Sequence, residues 1–432
     1  MGDEYTTETI HSAVVKGGEI ETVSRDKIDI KILRDRIPTH CFQPSTLRSL
    51  SWAIHDLAIF SALLVGTLHL EKWVDGWSLF LVRYALYPYA AGICLTGLWV
   101  LGHEAGHGAF STNKTIANSV GFVIHSALMS PYFAWRSSHA RHHQYANNIS
   151  TDLNYVPPLR EEYKTMFTLG KNEAWDDLME DAPVVVFLRI LLQQVIGWPW
   201  YLLSHITAGP NSSPKKPRGW WDNSHFLPNS SLFRSDEFWN IVASDLGLIT
   251  MGTTVYTLGQ KFGLQTMLWT YILPLIWVNH WIVMITYLHH THTLLPKYTP
   301  ESWTYLRGAL ATVDRNPGWI LRYMTHHIID LHVVHHLFPR IPHYHAQEAT
   351  DAIKPLLGEY YHTDKSSYWG ALWTSFTECQ WVEPNPAKTH QASVYNKRSD
   401  STQGFKINEV DQKGVLWYRS GRIPPPVVRM RP

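Results

Sequence analysis

Eight histidines in three short groups are the residues of this sequence whose types and spacing are best suited to chemistry. The first group is "HEAGH", and the other two, within "SHARHH" and "LHVVHH", share the pattern HxxHH. The members are His103, His107, His139, His142, His143, His332, His335 and His336. Spacings of three and four residues place side chains on one face of a helix, so each group can direct its imidazoles at a common point. The pattern therefore predicts a metal site.

The "HEAGH" group also fits the HExxH pattern of zinc metalloproteases, in which two histidines hold zinc and the glutamate activates water. Such a site needs three protein ligands and an open position, whereas eight or nine imidazoles suit two metal ions. An intramembrane protease built on His103, Glu104 and His107 would give neither HxxHH group a role in the site. It stays a remote alternative. A metal carrier needs ligands along a path through the membrane, and these groups lie outside the apolar segments.

Further side chains can complete such a centre. "LHHTH", with His289, His290 and His292, follows the last long apolar segment and can supply a ninth ligand. Asn279, within that segment, can hold a metal-bound water, although an asparagine that bonds a neighbouring helix is an equal alternative. Carboxylates near the groups can accept hydrogen bonds from the second nitrogens of the ligands, although solvated or capping roles fit them as well. These candidates are Glu104, Asp152 and Asp330.

The composition indicates a membrane protein as the scaffold for these groups. Charged residues are 17% of the 432 residues, against roughly 25% in soluble domains, and the chain has 20 Trp and 21 Tyr, which gather at membrane interfaces. A formal net charge of +1 provides no basic field, so nucleic-acid binding is not expected. The three cysteines, Cys41, Cys94 and Cys379, are far apart and odd in number, which fits packing roles in a reducing compartment.

Four apolar stretches approach the ~20 residues needed to cross a bilayer. They are residues 51–70, 79–101, 238–258 and 267–288, and short loops join them into two hairpins. A fifth stretch, 183–206, would place the basic "SPKKPRGWW" outside if it crossed, so we expect it to be interfacial or re-entrant. Both termini and all histidine groups are then cytosolic. A large soluble helical protein is the alternative.

The predicted fold class is therefore an all-α integral membrane protein, with four transmembrane helices in two hairpins and a cytosolic helical cap that holds a His-rich two-metal site. The N-terminal arm lacks the basic and apolar regions of a signal peptide, and its first forty or so residues are expected to be partly disordered. The predicted regions are the N-terminal arm at 1–50, the hairpins at 51–101 and 238–288, the cap at 102–237 and 289–385, and a C-terminal tail at 386–432.

The order of the three groups and the hydrophobic layout resemble the membrane fatty acid desaturases, and the detail is similar to their microsomal Δ12 (oleate, omega-6) branch. The resemblance runs from about residue 30 to about residue 385. It is carried by "IPTHCFQPS", "GHEAGHGAFS", "PYFAWRSSHARHH", "ITYLHHTHTLLPKY", "RGALATVDR" and "HVVHHLFPRIPHYHAQEATDAIKPLLGEYY".

The resemblance implies an oxidoreductase with a non-haem centre of two Fe ions, held by the eight histidines with His290 as the ninth ligand. It implies O2 as co-substrate and a cis double bond formed in the acyl chain of a membrane lipid, with oleoyl to linoleoyl the leading expectation. Electrons would come from a separate cytochrome b5 and its NADH-dependent reductase, because no HPGG haem-binding motif occurs. The expected location is the endoplasmic reticulum membrane, multi-pass, with the active site facing the cytosol.

Residues beside the ligands depart from the family pattern. Ala105 stands where Cys is usual, and Gly108 where His or Gln is common in the Δ12 branch. Ala146 and Asn147 replace a Thr-Gly pair after the second group. The ligands are intact, so these departures bear on the substrate and product, which small shifts of an acyl chain can change. An acetylenase or hydroxylase acting on a fatty acyl or specialised-metabolite chain is therefore the alternative function.

Overall fold

The structure is a computed structural model that describes residues 12–16, 19–23, 28–167, 182–205, 207–384 and 414–419. Most of these residues are helical. The helices of six or more residues are α1 (Ile30–Arg36), α2 (Thr46–Leu70), α3 (Gly76–His107), α4 (Lys114–Ala127), α5 (Tyr132–Tyr145), α6 (Arg160–Phe167), α7 (Pro183–Ser204), α8 (Ser235–Phe262), α9 (Leu264–Leu288), α10 (Tyr305–Leu310), α11 (Trp319–Met324), α12 (His332–Leu337), α13 (His343–Leu357) and α14 (Tyr368–Glu378).

Five of these helices, α2, α3, α7, α8 and α9, are long and apolar enough to cross a membrane. Four cover the stretches predicted as two hairpins, and α7 covers the stretch predicted to be interfacial. Leu188 and Leu192 of α7 and Ile249 of α8 are each more than half exposed, as expected of a surface that lipid covers. A single residue, Gly263, with a φ of 90°, separates α8 from α9, so these two helices form a tight hairpin.

Helix α3 is the central element, since it packs against α2, α4, α5 and α9. Its 32 residues extend about 48 Å, which exceeds the hydrocarbon core of about 30 Å, so its last turns can project beyond the core. Two glycines of α3 allow neighbouring segments to approach closely, because a side chain at either position would clash with them. A Cβ on Gly97 would lie 2.1 Å from the carbonyl oxygen of Met324. A Cβ on Gly92 would lie 2.3 Å from the Cβ of Trp277 in α9. Helix α3 is therefore packed closely against its neighbours in the turns that precede its histidines.

Part of the predicted N-terminal arm is folded onto α13. Asp29 caps α1, and a 3₁₀ turn follows at Thr39–Phe42. Leu33, Ile37 and Cys41 are buried in one hydrophobic cluster with residues of α13. Residues 28–42 of the predicted arm are therefore ordered, because apolar side chains of this segment pack in one hydrophobic cluster with α13. Residues 1–11, 17–18 and 24–27 lie outside the described residues.

Three small sheets accompany the helices, which the prediction of an all-α fold did not include. Their strands are β1 (Ser12–Lys16), β2 (Glu19–Val23), β3 (Pro296–Tyr298), β4 (Val313–Arg315), β5 (His362–Asp364), β6 (Trp381–Pro384) and β7 (Val415–Arg419). Strands β1 and β2 pair antiparallel, and strands β4 and β5 pair parallel. In the third sheet, β7 lies between β3 and β6 and is antiparallel to both. The buried strand β7 belongs to the predicted C-terminal tail, whose residues 386–413 and 420–432 lie outside the described residues.

Candidate metal centre

The structure brings together all nine histidines that the sequence analysis connects with metal binding. Five of them have ligand nitrogens within 4.8 Å of one another, and we name this set centre A: His103, His107, His139, His143 and His335. Three more are equally close and define centre B: His142, His290 and His336. His332 joins centre B, because its Nε2 lies 3.4 Å from the Nε2 of His290.

Helical spacing decides which centre each histidine faces. His139 and His143 of α5 are four residues apart and share centre A, while His142, on a neighbouring face, turns to centre B. Helix α12 shows the opposite arrangement. His332 and His336, four residues apart, share centre B, and His335 faces centre A. Both HxxHH groups therefore contribute to both centres, which fixes the two centres side by side.

The nitrogen separations in centre A match those of ligands around one ion. The Nε2 of His139 lies 3.0 Å from that of His103 and 3.1 Å from that of His143. The Nε2 of His103 lies 3.2 Å from that of His107, and the Nε2 atoms of His143 and His335 are 3.1 Å apart. Two nitrogens bonded at about 2.1 Å to one ion and at right angles to each other are about 3.0 Å apart. The donor geometry therefore fits a metal ion.

Burial in centre A favours the neutral form of the imidazoles, which is the form that binds metal. Burial, together with the neighbouring imidazoles, holds the pKa of His139, His143 and His335 well below the usual value. The Nε2 of His142 is buried without a hydrogen-bond partner, although its Nδ1 lies 2.7 Å from Oδ1 of Asp152. A buried nitrogen lone pair without a donor is costly, and a cation in centre B would satisfy it.

Asp152 is placed as the sequence analysis proposes, beside a ligand. Its Oδ1 faces Nδ1 of His142, and its Oδ2 accepts the backbone N–H of Asn147 at 2.7 Å. Burial alone would raise the pKa of Asp152, but its contact with His142, the positive charge of Lys297 and its hydrogen bonds keep that pKa below the usual value. The carboxylate is thus ionised, fixes the proton of His142 on Nδ1 and leaves Nε2 free for a metal.

The other three candidates do not contact the nine histidines. Glu104 accepts hydrogen bonds from the backbone N–H of His343 at 2.5 Å and from its Nδ1 at 2.9 Å, so it ties α3 to α13. Asp330 pairs with Nδ1 of His327 at 3.0 Å and with Nε of Arg322 at 3.1 Å. Asn279 precedes the end of α9 by nine residues, about 14 Å along the helix. Sequence proximity was a poor guide for Glu104 and Asp330, because their hydrogen bonds go to residues outside the two centres.

Two residues beside centre B, Asn147 and Lys297, make hydrogen bonds that the sequence analysis did not predict. Asn147, noted only as a departure from the family pattern, has a φ of 64°, a left-handed conformation that asparagine tolerates better than most residues. Its amide donates to the carbonyls of Gly308 and Ala311, both at 2.9 Å, and accepts from Nζ of Lys297 at 2.5 Å. Lys297 also donates to the carbonyl of His290 at 3.1 Å. Burial lowers the pKa of Lys297 to about 8.

Buried polar groups fix the elements that carry the remaining ligands. The guanidinium of Arg315 donates to the carbonyl of Leu288 at 3.0 and 3.2 Å and pairs with Asp364, which holds the end of α9 directly before His290. Asp314 accepts the backbone N–H of Val333 at 2.8 Å and the hydroxyl of Tyr361, which holds the start of α12. Both contacts join segments distant in sequence at the point where a ligand must be placed.

An apolar cavity of about 620 Å³ reaches the centre, where His103, His139 and His332 form part of its wall. The volume lies in the range of about 300–1,000 Å³ that is usual for ligand sites. Residues of α3, α5, α7, α9 and α14 line it, including Trp99, Trp135, Trp198, Ile282, Val283 and Tyr287. The ring of Trp135 stacks on His139 with centroids 4.5 Å apart, so the cavity wall also orients a ligand. The arrangement offers an apolar chain a path to a metal centre.

Comparison with known proteins agrees with this arrangement. A sequence model of the family described as "Fatty acid desaturase" matches residues 46–368. The chain is 40% identical over 408 residues to the oleate hydroxylase of Claviceps purpurea, covering 90% of this chain and 80% of that protein. It is 39% identical over 364 residues to the Δ12 fatty acid desaturase of Mortierella isabellina, covering 82% and 88%. It is 36% identical over 388 residues to the endoplasmic reticulum omega-6 fatty acid desaturase isozyme 1 of Glycine max, covering 90% and 89%.

The contact between Asp152 and His142 generates a first prediction. Asp152→Asn should lower the affinity of centre B for its metal about 10- to 100-fold, because a neutral amide fixes the imidazole proton less firmly. Metal content per chain after equilibration with graded chelator measures this loss. Asp330→Asn is the matched control, since that carboxylate contacts none of the nine histidines. Equal losses in the two variants would contradict the role of Asp152.

Proposed function

The chain belongs to the fatty acid desaturase family, and on this basis we propose that it uses O2 to introduce a cis double bond into the acyl chain of a membrane lipid. The observation that carries the proposal is the convergence of nine histidines into two centres at one wall of an apolar cavity. The proposed substrate is an oleoyl chain and the proposed product a linoleoyl chain. Relatives that align with most of this chain carry Δ12 and omega-6 desaturase names.

We assign iron to both centres. Two Fe ions, when bound, would supply with O2 the redox chemistry that removes hydrogen from an unactivated CH2 group, which lies beyond acid–base side chains. Imidazole nitrogens suit iron, whereas zinc has no redox chemistry. Centre A would supply five imidazoles and centre B four, and Asp152 would orient one of the latter. The protease hypothesis loses its general base, because Glu104 is engaged by His343.

The protein's own part in this reaction is to position the acyl chain and exclude water. The apolar walls of the cavity desolvate a hydrocarbon chain, and the histidines in the wall place one section of that chain beside the centres. Trp99 and Trp135 pack against each other with ring centroids 5.0 Å apart, and each lies against an imidazole of centre A. Packing of this kind restricts both the chain and the ligands, which favours attack at one position.

A four-span topology accounts for the meeting of distant ligands. His142 precedes α7, α8 and α9 in the chain, His290 follows all three, and both belong to centre B. An even number of crossings must therefore separate them. Because the hairpin of α8 and α9 would account for two crossings, we propose that α7 does not cross and takes an interfacial or re-entrant position. The chain after α7 returns to Asp152, whose carbonyl accepts the N–H of Gly209 at 2.8 Å.

We place the centres on the cytosolic face of the endoplasmic reticulum membrane, where a separate cytochrome b5 and its NADH-dependent reductase would supply electrons. The Glycine max relative carries an endoplasmic reticulum name, which supports the compartment. Basic residues between α7 and α8, including Lys215, Lys216 and Arg218, fit the cytosolic side. Loss of product in a yeast host that lacks cytochrome b5 would support this donor, and undiminished product would exclude it.

A hydroxylase is the second candidate, and the oleate hydroxylase of Claviceps purpurea, 40% identical to this chain, is the observation that favours it. Both departures in the first group lie at the end of α3. Ala105 is buried between ligands, and Gly108 ends the helix with a φ of 75°, a conformation that favours glycine. An acetylenase has no comparable support. These positions leave the nine histidines in place, so they bear on the outcome of the reaction.

Expression in yeast that makes oleate but no linoleate tests the main proposal. Gas chromatography of the lipids should show a new 18:2 peak, whereas a hydroxylated 18-carbon acid would assign the second candidate. His335→Ala should abolish the product, because it removes a nitrogen from centre A. His69→Ala is the control, since that ring is exposed, lies outside both centres and has its Nδ1 3.0 Å from the carbonyl of Val65. Full activity in His335→Ala would remove centre A from the reaction.

The cavity generates a prediction about substrate. Val283→Trp should reduce conversion of 18-carbon chains at least tenfold, since the larger side chain fills space that the acyl chain needs. Product per chain and iron per chain are measured together, and iron should stay unchanged. Leu191→Trp is the matched control, because Leu191 is half exposed on the outer side of α7 and does not line the cavity. Unchanged conversion in Val283→Trp would place the acyl chain elsewhere.

The topology is tested by single added cysteines, since the three native cysteines are buried. A membrane-impermeant maleimide should label Lys216→Cys in intact microsomes, because the segment after α7 is assigned to the cytosol. Trp73→Cys, in the exposed loop between α2 and α3, should react only after permeabilisation. Protection of Lys216→Cys in intact microsomes would mean that α7 crosses the membrane.

A further inference from the structure

A second group of metal-ligand side chains lies apart from the nine histidines. Four donor atoms, from His40, Cys41, His345 and Glu348, all lie within 4.8 Å of one another. The first two residues belong to the 3₁₀ turn at Thr39–Phe42, and the last two are three residues apart on α13. None of the four has a part in the proposed reaction, so this group, named the N-terminal cluster, requires its own explanation.

The distances in the N-terminal cluster are close to those of a tetrahedral site. Nε2 of His40 lies 2.9 Å from Oε2 of Glu348 and 3.8 Å from Sγ of Cys41. Nδ1 of His345 lies 4.0 Å from the same carboxylate oxygen. Around a tetrahedral zinc ion, nitrogen and oxygen ligands are about 3.4 Å apart and nitrogen and sulfur about 3.6 Å apart. The three measured separations, 2.9, 3.8 and 4.0 Å, differ from these values by about 0.6 Å or less, and the half-exposed side chains of His40 and Glu348 can adjust by that amount.

We propose that the N-terminal cluster binds one Zn²⁺ ion, which joins the segment before α2 to α13. Thiolate, imidazole and carboxylate are the donor types that zinc takes in proteins, and four such donors can complete a closed tetrahedral site. The thiolate and the carboxylate together balance the charge of the ion. On binding, the thiol of Cys41 loses its proton to solvent as the zinc–sulfur bond forms, and no electrons are transferred.

The surroundings hold the donors in place and leave access for the ion. Cys41 is fully buried in the cluster of apolar side chains on α13, so its sulfur has a fixed position. The backbone N–H of Ser45 donates to the hydroxyl of Tyr344 at 2.7 Å, which keeps the turn on the start of that helix. The side chains of His40 and Glu348 are half exposed, so an ion can enter from solvent.

Arg48 carries a positive charge close to the N-terminal cluster. The guanidinium of Arg48 lies over the ring of Tyr344, 4.2 Å from its centroid. Together with burial, this charge holds the pKa of His345 below its usual value, which favours the neutral imidazole that binds metal. Glu348 pairs with His40 at 2.9 Å and with His345 at 4.0 Å, and pairs at a half-exposed carboxylate contribute little to stability by themselves.

The position of the ion gives it a structural effect on the catalytic region. Helix α13 begins at His343, which bonds both oxygens of Glu104, and Glu104 stands between two ligands of centre A in α3. An ion held two to five residues further along α13 would anchor this helix from the opposite side. The expected consequence is greater stability of the fold, with no direct part in the reaction.

Elemental analysis of the full chain in lipid nanodiscs tests the proposal. The unmodified protein should contain about one zinc per chain besides its iron. His40→Gln and Cys41→Ser should each lose the zinc, keep the iron and unfold at a lower temperature, because centres A and B are untouched. His69→Gln, a change to an exposed histidine outside the cluster, should keep both metals. Iron content also reports whether a variant has folded.

Cobalt provides the second measurement. Zinc-depleted protein reconstituted with Co²⁺ should show a thiolate-to-cobalt charge-transfer absorption, which His40→Gln should weaken and Cys41→Ser should remove. If Cys41→Ser does not fold, the exposed position of His40 keeps the test available through His40→Gln. Zinc-free native protein with full iron and no cobalt–thiolate band would overturn the proposal. Zinc retained in both variants would also overturn it, because the ion would then lie elsewhere.

Discussion

The constraint on which this structure depends is the burial of nine imidazoles within one small region. Protonated rings at separations of 3.0–3.4 Å would repel one another, and neutral rings leave nitrogen lone pairs that face each other without donors. Metal ions would resolve this conflict, because one cation satisfies several lone pairs together. The protein must then hold the ends of four helices at fixed positions, and much of its polar interior serves that purpose.

Each of these helix ends is fixed by a contact with a part of the chain that is distant in sequence. Glu104 joins the end of α3 to α13, and Asn147 joins the segment after α5 to two carbonyls at the end of α10. Arg315 holds the end of α9, and Asp314 the start of α12. All four side chains are buried, so their hydrogen bonds are costly to break. The centre is therefore held by a polar network as well as by apolar packing.

The same arrangement separates two properties of the enzyme. In the proposed reaction, metal binding would depend on the nine histidines and on Asp152, which contacts one of them directly. The choice of product depends on where the cavity places an acyl chain, and residues that flank the ligands can shift that chain without touching a metal. Relatives with desaturase and hydroxylase names at 36–40% identity show that this family hosts both outcomes.

The sequence by itself determined the identity of the metal-binding candidates. Helical spacing is a local property, so "HEAGH", "HARHH" and "HVVHH" indicated which imidazoles share a face before any fold was known. The apolar stretches likewise indicated the long helices, because a bilayer imposes a length that can be read from composition. The family resemblance placed His290 with the ligands, and the structure brings it to centre B.

Only the tertiary structure decided how the histidines divide between two centres and which polar residues support them. Glu104 and Asp330 are adjacent to ligands in sequence yet point elsewhere, whereas Lys297, 150 residues from Asn147, contacts it directly. The strand at 415–419 and the cluster around Cys41 likewise form between remote segments. Contacts of this kind depend on how helices and loops pack in three dimensions, and the spacing of residues along one helix contains no information about them.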